Sequence, residues 1–159
     1  MRQFTEADGY NVKDILHFAV DHLESARILF RSSSNCFDSA GYLSHLGLEL
    51  LLKAWHLHQF KLFENKHCLV QLYSGLKPYL NGKPFSKEQE GLLQKLDSYY
   101  ELRYPRQHEP IEIGSEDWLH IDELLDTLWD QMPNELLSVL FEIDPKINGG
   151  RILMKKKIN

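Results

Sequence analysis

Apolar residues recur at helical spacing through most of the chain. Val12, Ile15, Leu16, Ala19, Val20, Leu23, Ala26, Leu29 and Phe30 return every three or four positions, with Asp14, Asp21, Glu24, Arg27 and Arg31 between them. That is the signature of an amphipathic helix over 12–30. Ser32-Ser33-Ser34-Asn35 interrupts it with side chains that compete for backbone hydrogen bonds. A second helix, over 37–60, carries Tyr42, Leu43, Leu46, Leu50, Leu51, Ala54, Trp55 and Leu57, and its middle is apolar on more than one face. This predicts the central helix of a bundle, paired with the first as a hairpin. Ala40, Ser44 and Gly47 form a stripe of small residues that lets a neighbouring helix come close.

The pattern continues with a short helix over 68–76, followed by the turn Asn81-Gly82-Lys83-Pro84. Ser86 and Gln89 have the spacing of a capping box and open a helix through Leu92, Leu93, Leu96, Tyr99 and Tyr100. Pro105 should end it at Tyr104, because the residue before a proline is pushed out of helical geometry. Its spacing places Arg103 near the apolar stripe. Residues 105–114 read as a loop. Ser115 then caps a helix carrying Trp118, Ile121, Leu124, Leu125, Leu128, Trp129 and Met132, and a short helix follows over 135–142. No long segment alternates with a period of two. The expectation is one all-α domain over 1–145, an up-and-down bundle of four to six helices, with a flexible basic tail over 146–159.

Composition narrows the function classes. The 159 residues include two cysteines, Cys36 and Cys68, which excludes a disulfide scaffold and argues against a thiolate zinc cluster. The longest stretch without Asp, Glu, Lys or Arg in the first fifty residues, Ser39 to Leu48, is too short and too polar for a bilayer. No membrane association and a cytoplasmic location are the expectations, with no basic-then-apolar leader at the start.

Net charge is −5, but unevenly spread. Residues 109–145 hold eleven acids and no Lys or Arg, while 1–108 hold 13 basic and 12 acidic residues. This distribution argues against a broad phosphate-binding face and allows a local one. Lys155, Lys156 and Lys157 read as a solvated terminus.

Among polar residues, His45 and Glu49 share a helix face at spacing four and could contribute to a metal site, but Glu49 and Lys53 at the same spacing read first as an ion pair. Tyr99, Tyr100, Tyr104, Trp118 and Trp129 could stack bases, although aromatics at helical spacing are more often core. No phosphate loop, nucleophile elbow or zincin motif is present.

Three segments together resemble the HEPN domain family, small helical bundles found alone, in toxin–antitoxin pairs and beside minimal nucleotidyltransferases. Ala40 to Ala54, ending Leu52-Lys53-Ala54, is similar to the family's small-residue helix. Lys66-His67-Cys68-Leu69-Val70-Gln71-Leu72 is similar to its His-Asp-Leu segment. Arg103-Tyr104-Pro105-Arg106-Gln107-His108 matches its Arg, four to six residues, His. The resemblance implies a homodimer whose two Arg/His motifs form one composite site, and in catalytic members metal-independent RNA cleavage without a cofactor.

On that model His108 is the general base or acid and Arg103 stabilises the phosphorane, with Glu101, Tyr104 and Arg106 as secondary binding residues. The residue types suit this chemistry. Imidazole exchanges protons near neutral pH, and guanidinium supplies a fixed charge with several donors. The same residues allow a second reading, in which Arg103 pairs with an acid at the dimer seam. The chain would then be a non-catalytic nucleotide- or protein-binding module for a nucleotidyltransferase or antitoxin partner, or a purely structural dimer.

Overall fold

Among the described residues six α-helices, α1 (Val12–Ser32), α2 (Phe37–Phe60), α3 (Leu69–Leu76), α4 (Lys87–Tyr100), α5 (Ser115–Gln131) and α6 (Asn134–Ile143), make up the all-α body expected from the periodicity. The computed structural model describes residues 1–100 and 113–143. The tail expected over 146–159, and the helix end expected at Tyr104, lie outside the described residues.

Pairings between helices fix their directions. Phe30 of α1 meets Phe37 at the start of α2, and Leu23 meets Gly47 further along, so α1 and α2 run antiparallel. Tyr99 of α4 packs against Gly41 and Asp97 reaches His45, which makes α2 and α4 antiparallel. Gln89 bonds Thr127 and Lys95 bonds Asp117, so α4 and α5 are antiparallel as well. The result is an up-and-down four-helix arrangement of α1, α2, α4 and α5. The short α3 rests on α2 and α4, and α6 on α1. α2 is the central element: Leu48, Leu51, Ala54, Trp55 and Leu57 are all buried.

The small-residue stripe works as its composition suggests. A Cβ on Gly47 would lie 2.6 Å from Leu23 Cγ, so glycine is what lets α1 approach this closely.

Capping sets the helix starts. Asn11 Oδ1 accepts from the Asp14 amide at 2.8 Å to open α1. Ser86 and Gln89 form the reciprocal box at the start of α4, at 3.2 and 3.0 Å. α5 departs from expectation by one residue. Gly114, not Ser115, is the N-cap, and its amide donates to Asp117 Oδ2 at 2.7 Å. An acid in the first turn bonding back to the cap amide does the work that a capping hydroxyl would otherwise do.

The turn before α4 is pinned from behind. Tyr73 Oη accepts from the Phe85 amide at 2.8 Å and donates to Gln131 Oε1 at 3.2 Å, while Gln131 Nε2 donates to the Lys83 carbonyl at 2.7 Å. A two-residue antiparallel pairing joins β1 (Gln3–Phe4) to β2 (Phe63–Glu64), which no alternation in the sequence announces. Phe4, Phe63 and Tyr10 cluster there with ring centroids 5.2 to 5.4 Å apart. Two residues per strand are too few for an alternation to register.

Several acids of the 109–145 segment join helices together. Asp117 pairs with Lys95 at 2.9 Å and Asp122 with Arg27 at 3.3 Å, and Arg27 also lies over the Trp118 ring. No described helix is long and apolar enough to cross a membrane.

Candidate functional site

His45, Glu49 and Lys53 follow one another at spacing four along α2, which places all three on one face. Facing them are Asp97 and Tyr100 from the last turn of α4, and His67 and Cys68 at the entry to α3. Together these seven residues make a polar corner in an otherwise apolar interface.

Asp97 is the hub. Its Oδ1 accepts from the Leu69 amide at 2.7 Å and from His45 Nε2 at 3.1 Å, and its Oδ2 accepts from the Val70 amide at 3.3 Å and from Cys68 Sγ at 3.2 Å. The carboxylate caps the first turn of α3 from another helix, because Cys68 at the N-cap makes no side-chain cap bond. Burial pulls the Asp97 carboxyl upward, but the bonds from His45, the Leu69 amide, Cys68 and the Val70 amide outweigh it and hold the group below the usual aspartate value. Burial pushes the Cys68 thiol up, and the adjacent Asp97 charge adds to that, so Cys68 is a poor nucleophile.

His45 is fully enclosed. Its Nε2 faces two acceptors, Asp97 Oδ1 and the His67 carbonyl at 2.9 Å, and so carries the hydrogen. Its Nδ1 lies 3.8 Å from Glu49 Oε2, and neither atom has a hydrogen-bond partner.

Glu49 Oε1 takes two bonds, one from Lys53 Nζ at 2.6 Å and one from His67 Nδ1 at 2.9 Å. The Glu49–Lys53 pair expected from the spacing is thus present. It is buried, with side-chain exposures of 6% and 7%. Each charge needs the other, since an unpaired charge at that depth is strongly unfavourable.

His67 differs from the rest of the cluster. Its side chain is 39% exposed, and Tyr100 stacks on its ring with centroids 4.7 Å apart and planes inclined by 14°. The Glu49 carboxylate offers only lone pairs, so Nδ1 is the donor. In the neutral ring this tautomer leaves Nε2 with a lone pair.

The structure distributes the sequence candidates unequally. Arg103 and His108, with Glu101, Tyr104 and Arg106, lie outside the described residues. Of the aromatics, Tyr99, Trp118 and Trp129 are core, whereas Tyr100 is half-buried against His67. No three His, Cys, Asp or Glu side chains among the described residues are grouped as metal ligands. His45 and Glu49 are instead engaged by Asp97, Lys53 and His67. Asp97 was not singled out from sequence. Its only local signal was an acid on the apolar side of an amphipathic helix.

A family model described as HEPN domain matches residues 12–127. The chain belongs to the HEPN domain family. The match takes in α1 to α4, the Arg103–His108 segment and most of α5, so the resemblance first carried by three short segments holds across the bundle. No curated protein and no solved structure matches this HEPN chain.

Proposed function

We propose that this HEPN protein is a metal-independent endoribonuclease that acts as a homodimer, with Arg103 and His108 of both protomers in one composite cleft. The observation that supports this reading most comes from the last described turn of α4. Its last described residue, Tyr100, lies against the half-exposed His67. Arg103 follows three positions later, and three residues of chain reach at most about 11 Å. Arg103 is thereby tethered within that distance of Tyr100, and residues 1–108 carry 13 basic against 12 acidic residues.

The proposed chemistry is transesterification. The 2′-oxygen forms a bond to phosphorus while the bond from phosphorus to the 5′-oxygen breaks. The 2′-hydroxyl proton passes to a base, and the 5′-oxygen receives a proton from an acid. Arg103 meets the charge on the non-bridging oxygens with paired donors, and His108 exchanges a proton.

The test is incubation of mixed-sequence RNA with the protein in excess chelator, beside Arg103→Ala and His108→Ala. The expected result is cleavage by the wild type that falls by about 10²-fold or more in each variant. Equal product from all three overturns the assignment, and no product from any favours a binding module for a nucleotidyltransferase or antitoxin partner.

A further inference from the structure

A neutral imidazole attacks an electrophile through the ring nitrogen that keeps its lone pair, and a carboxylate bonded to the other nitrogen offsets the charge the ring acquires. We infer that His67 is such a nucleophile, a modification site whose Nε2 accepts a phosphoryl group from an acyl phosphate. This role is independent of the ribonuclease reading: every group it needs lies on α2, on α4 or at the entry to α3.

Of the four described histidines paired with a carboxylate, only His67 combines a buried partner with an open ring. Its Nδ1 donates to Glu49 Oε1 at 2.9 Å, with the Glu49 side chain 6% exposed and that of His67 39%. His45 lies between Glu49 and Asp97 but is fully enclosed. His17 and His120 face Asp21 and Glu123 at 3.3 and 3.8 Å with both partners exposed, so water screens these pairs. In His67 the donor role of Nδ1 leaves the lone pair on Nε2. That atom bonds no described residue and is open to solvent. Lys53 also holds Glu49 Oε1, at 2.6 Å, and the Tyr100 ring stacks on the imidazole at 4.7 Å, so carboxylate and ring plane are both fixed.

Two features select the electrophile. Among the described charges the corner holds two carboxylates, Glu49 and Asp97, against one ammonium, Lys53, so a ring that turns positive is compensated. Acyl transfer needs donors for the oxyanion of a tetrahedral intermediate, yet the amides at the start of α3, of Leu69 and Val70, already donate to Asp97. Phosphoryl transfer passes through a loose transition state and asks of the acceptor chiefly a positioned lone pair. The step balances with the acyl phosphate as its only co-reactant. The Nε2 lone pair forms the bond to phosphorus, the bond from phosphorus to the acyl oxygen breaks, and that oxygen leaves with the electron pair as a carboxylate. No proton moves, because Nδ1 keeps its hydrogen on Glu49.

The test is incubation of the whole protein with acetyl phosphate at neutral pH, followed by peptide mapping in alkali, where an N–P bond survives. Wild type and Glu49→Gln are compared, with circular dichroism confirming the fold of each. In the wild type His67 is expected to be labelled about tenfold or more faster than His17 or His120, the factor supplied by a hydrogen bond that becomes charge-assisted as the ring turns positive. Glu49→Gln, whose amide oxygen still accepts from Nδ1, is expected to bring His67 down to the rate of His17. Proton–phosphorus correlation spectra of the labelled protein identify the nitrogen, and Nε2 is expected. Labelling of His67 no faster than that of His17 and His120 overturns the inference from the wild type alone, whatever the variant does. Label on Nδ1, or an unchanged rate in folded Glu49→Gln, overturns it as well. Each of these failures leaves the ribonuclease reading in place, since no RNA enters the assay.

Discussion

Replacing Asp97 by alanine is the most informative perturbation of the polar corner. Its two oxygens accept four bonds. The substitution strips the first turn of α3 of its cap, and losing a cap costs about 0.5–2 kcal/mol. His45 keeps the His67 carbonyl at 2.9 Å, so its ring is not orphaned, but it loses a charge-assisted bond worth about 1.5–3 kcal/mol. The Cys68 contact adds little. The total comes to about 3 kcal/mol, a large share of the roughly 5–15 kcal/mol that holds a domain folded. At about 2–4 °C per kcal/mol for a chain of this size, the midpoint of thermal unfolding should fall by about 6–12 °C.

The pH dependence of that loss follows from the direction of the Asp97 shift. Its folded value lies below the usual one, so the carboxylate contributes stability that is complete above the unfolded value of about 3.9 and vanishes as pH falls through the folded value. The difference between wild type and Asp97→Ala should be constant from neutral pH down to about 5 and should shrink below about 4. Urea titrations followed by circular dichroism at several pH values supply the measurement. A loss under about 1 kcal/mol at neutral pH would refute the view that Asp97 caps α3 from across the interface. A difference that grows toward low pH would refute the charge assignment.

Other substitutions probe the packing and the buried pair. Gly47→Ala should destabilise by about 1–3 kcal/mol in urea titration, because the new Cβ meets Leu23 Cγ at 2.6 Å. Gly91→Ala in α4 has open space around the added carbon, and should instead stabilise by about 0.5–1 kcal/mol. Glu49→Ala leaves Lys53 buried without a counter-charge and should cost about 3–5 kcal/mol, whereas Glu49→Gln should cost less because the amide oxygen still accepts from Lys53. Tyr73→Phe removes the acceptor for the Phe85 amide, and about 1–3 kcal/mol should be lost in the same titration.

What was legible in the sequence was local. Periodicity marks all six helices, since burial of one face repeats every three or four residues regardless of what covers it. The Ser86–Gln89 box and the Glu49–Lys53 pair were also legible, because their partners are three or four residues apart. The polar corner was not. His45 depends on Asp97, fifty-two positions away, and no spacing rule connects residues whose meeting is set by the packing of α2 against α4. The same reason hides the Tyr100–His67 stack. His67 carried a signal only as part of a family-like segment, and its pairing with Glu49 gives that segment a physical role. The displacement of the α5 cap from Ser115 to Gly114 is a contest between two good capping solutions one residue apart, which composition alone leaves undecided.

On the proposed function, this HEPN chain cleaves RNA through its own side chains, with the 2′-hydroxyl as nucleophile. The most direct measurement is the end-group analysis of RNA incubated with the wild-type protein in chelator, beside the same RNA carrying 2′-deoxyribose at each mapped scission site. Products ending in a 2′,3′-cyclic phosphate and a 5′-hydroxyl are expected, with scission abolished at the substituted positions. Continued scission at those positions, or cleavage that disappears with chelator, would contradict it.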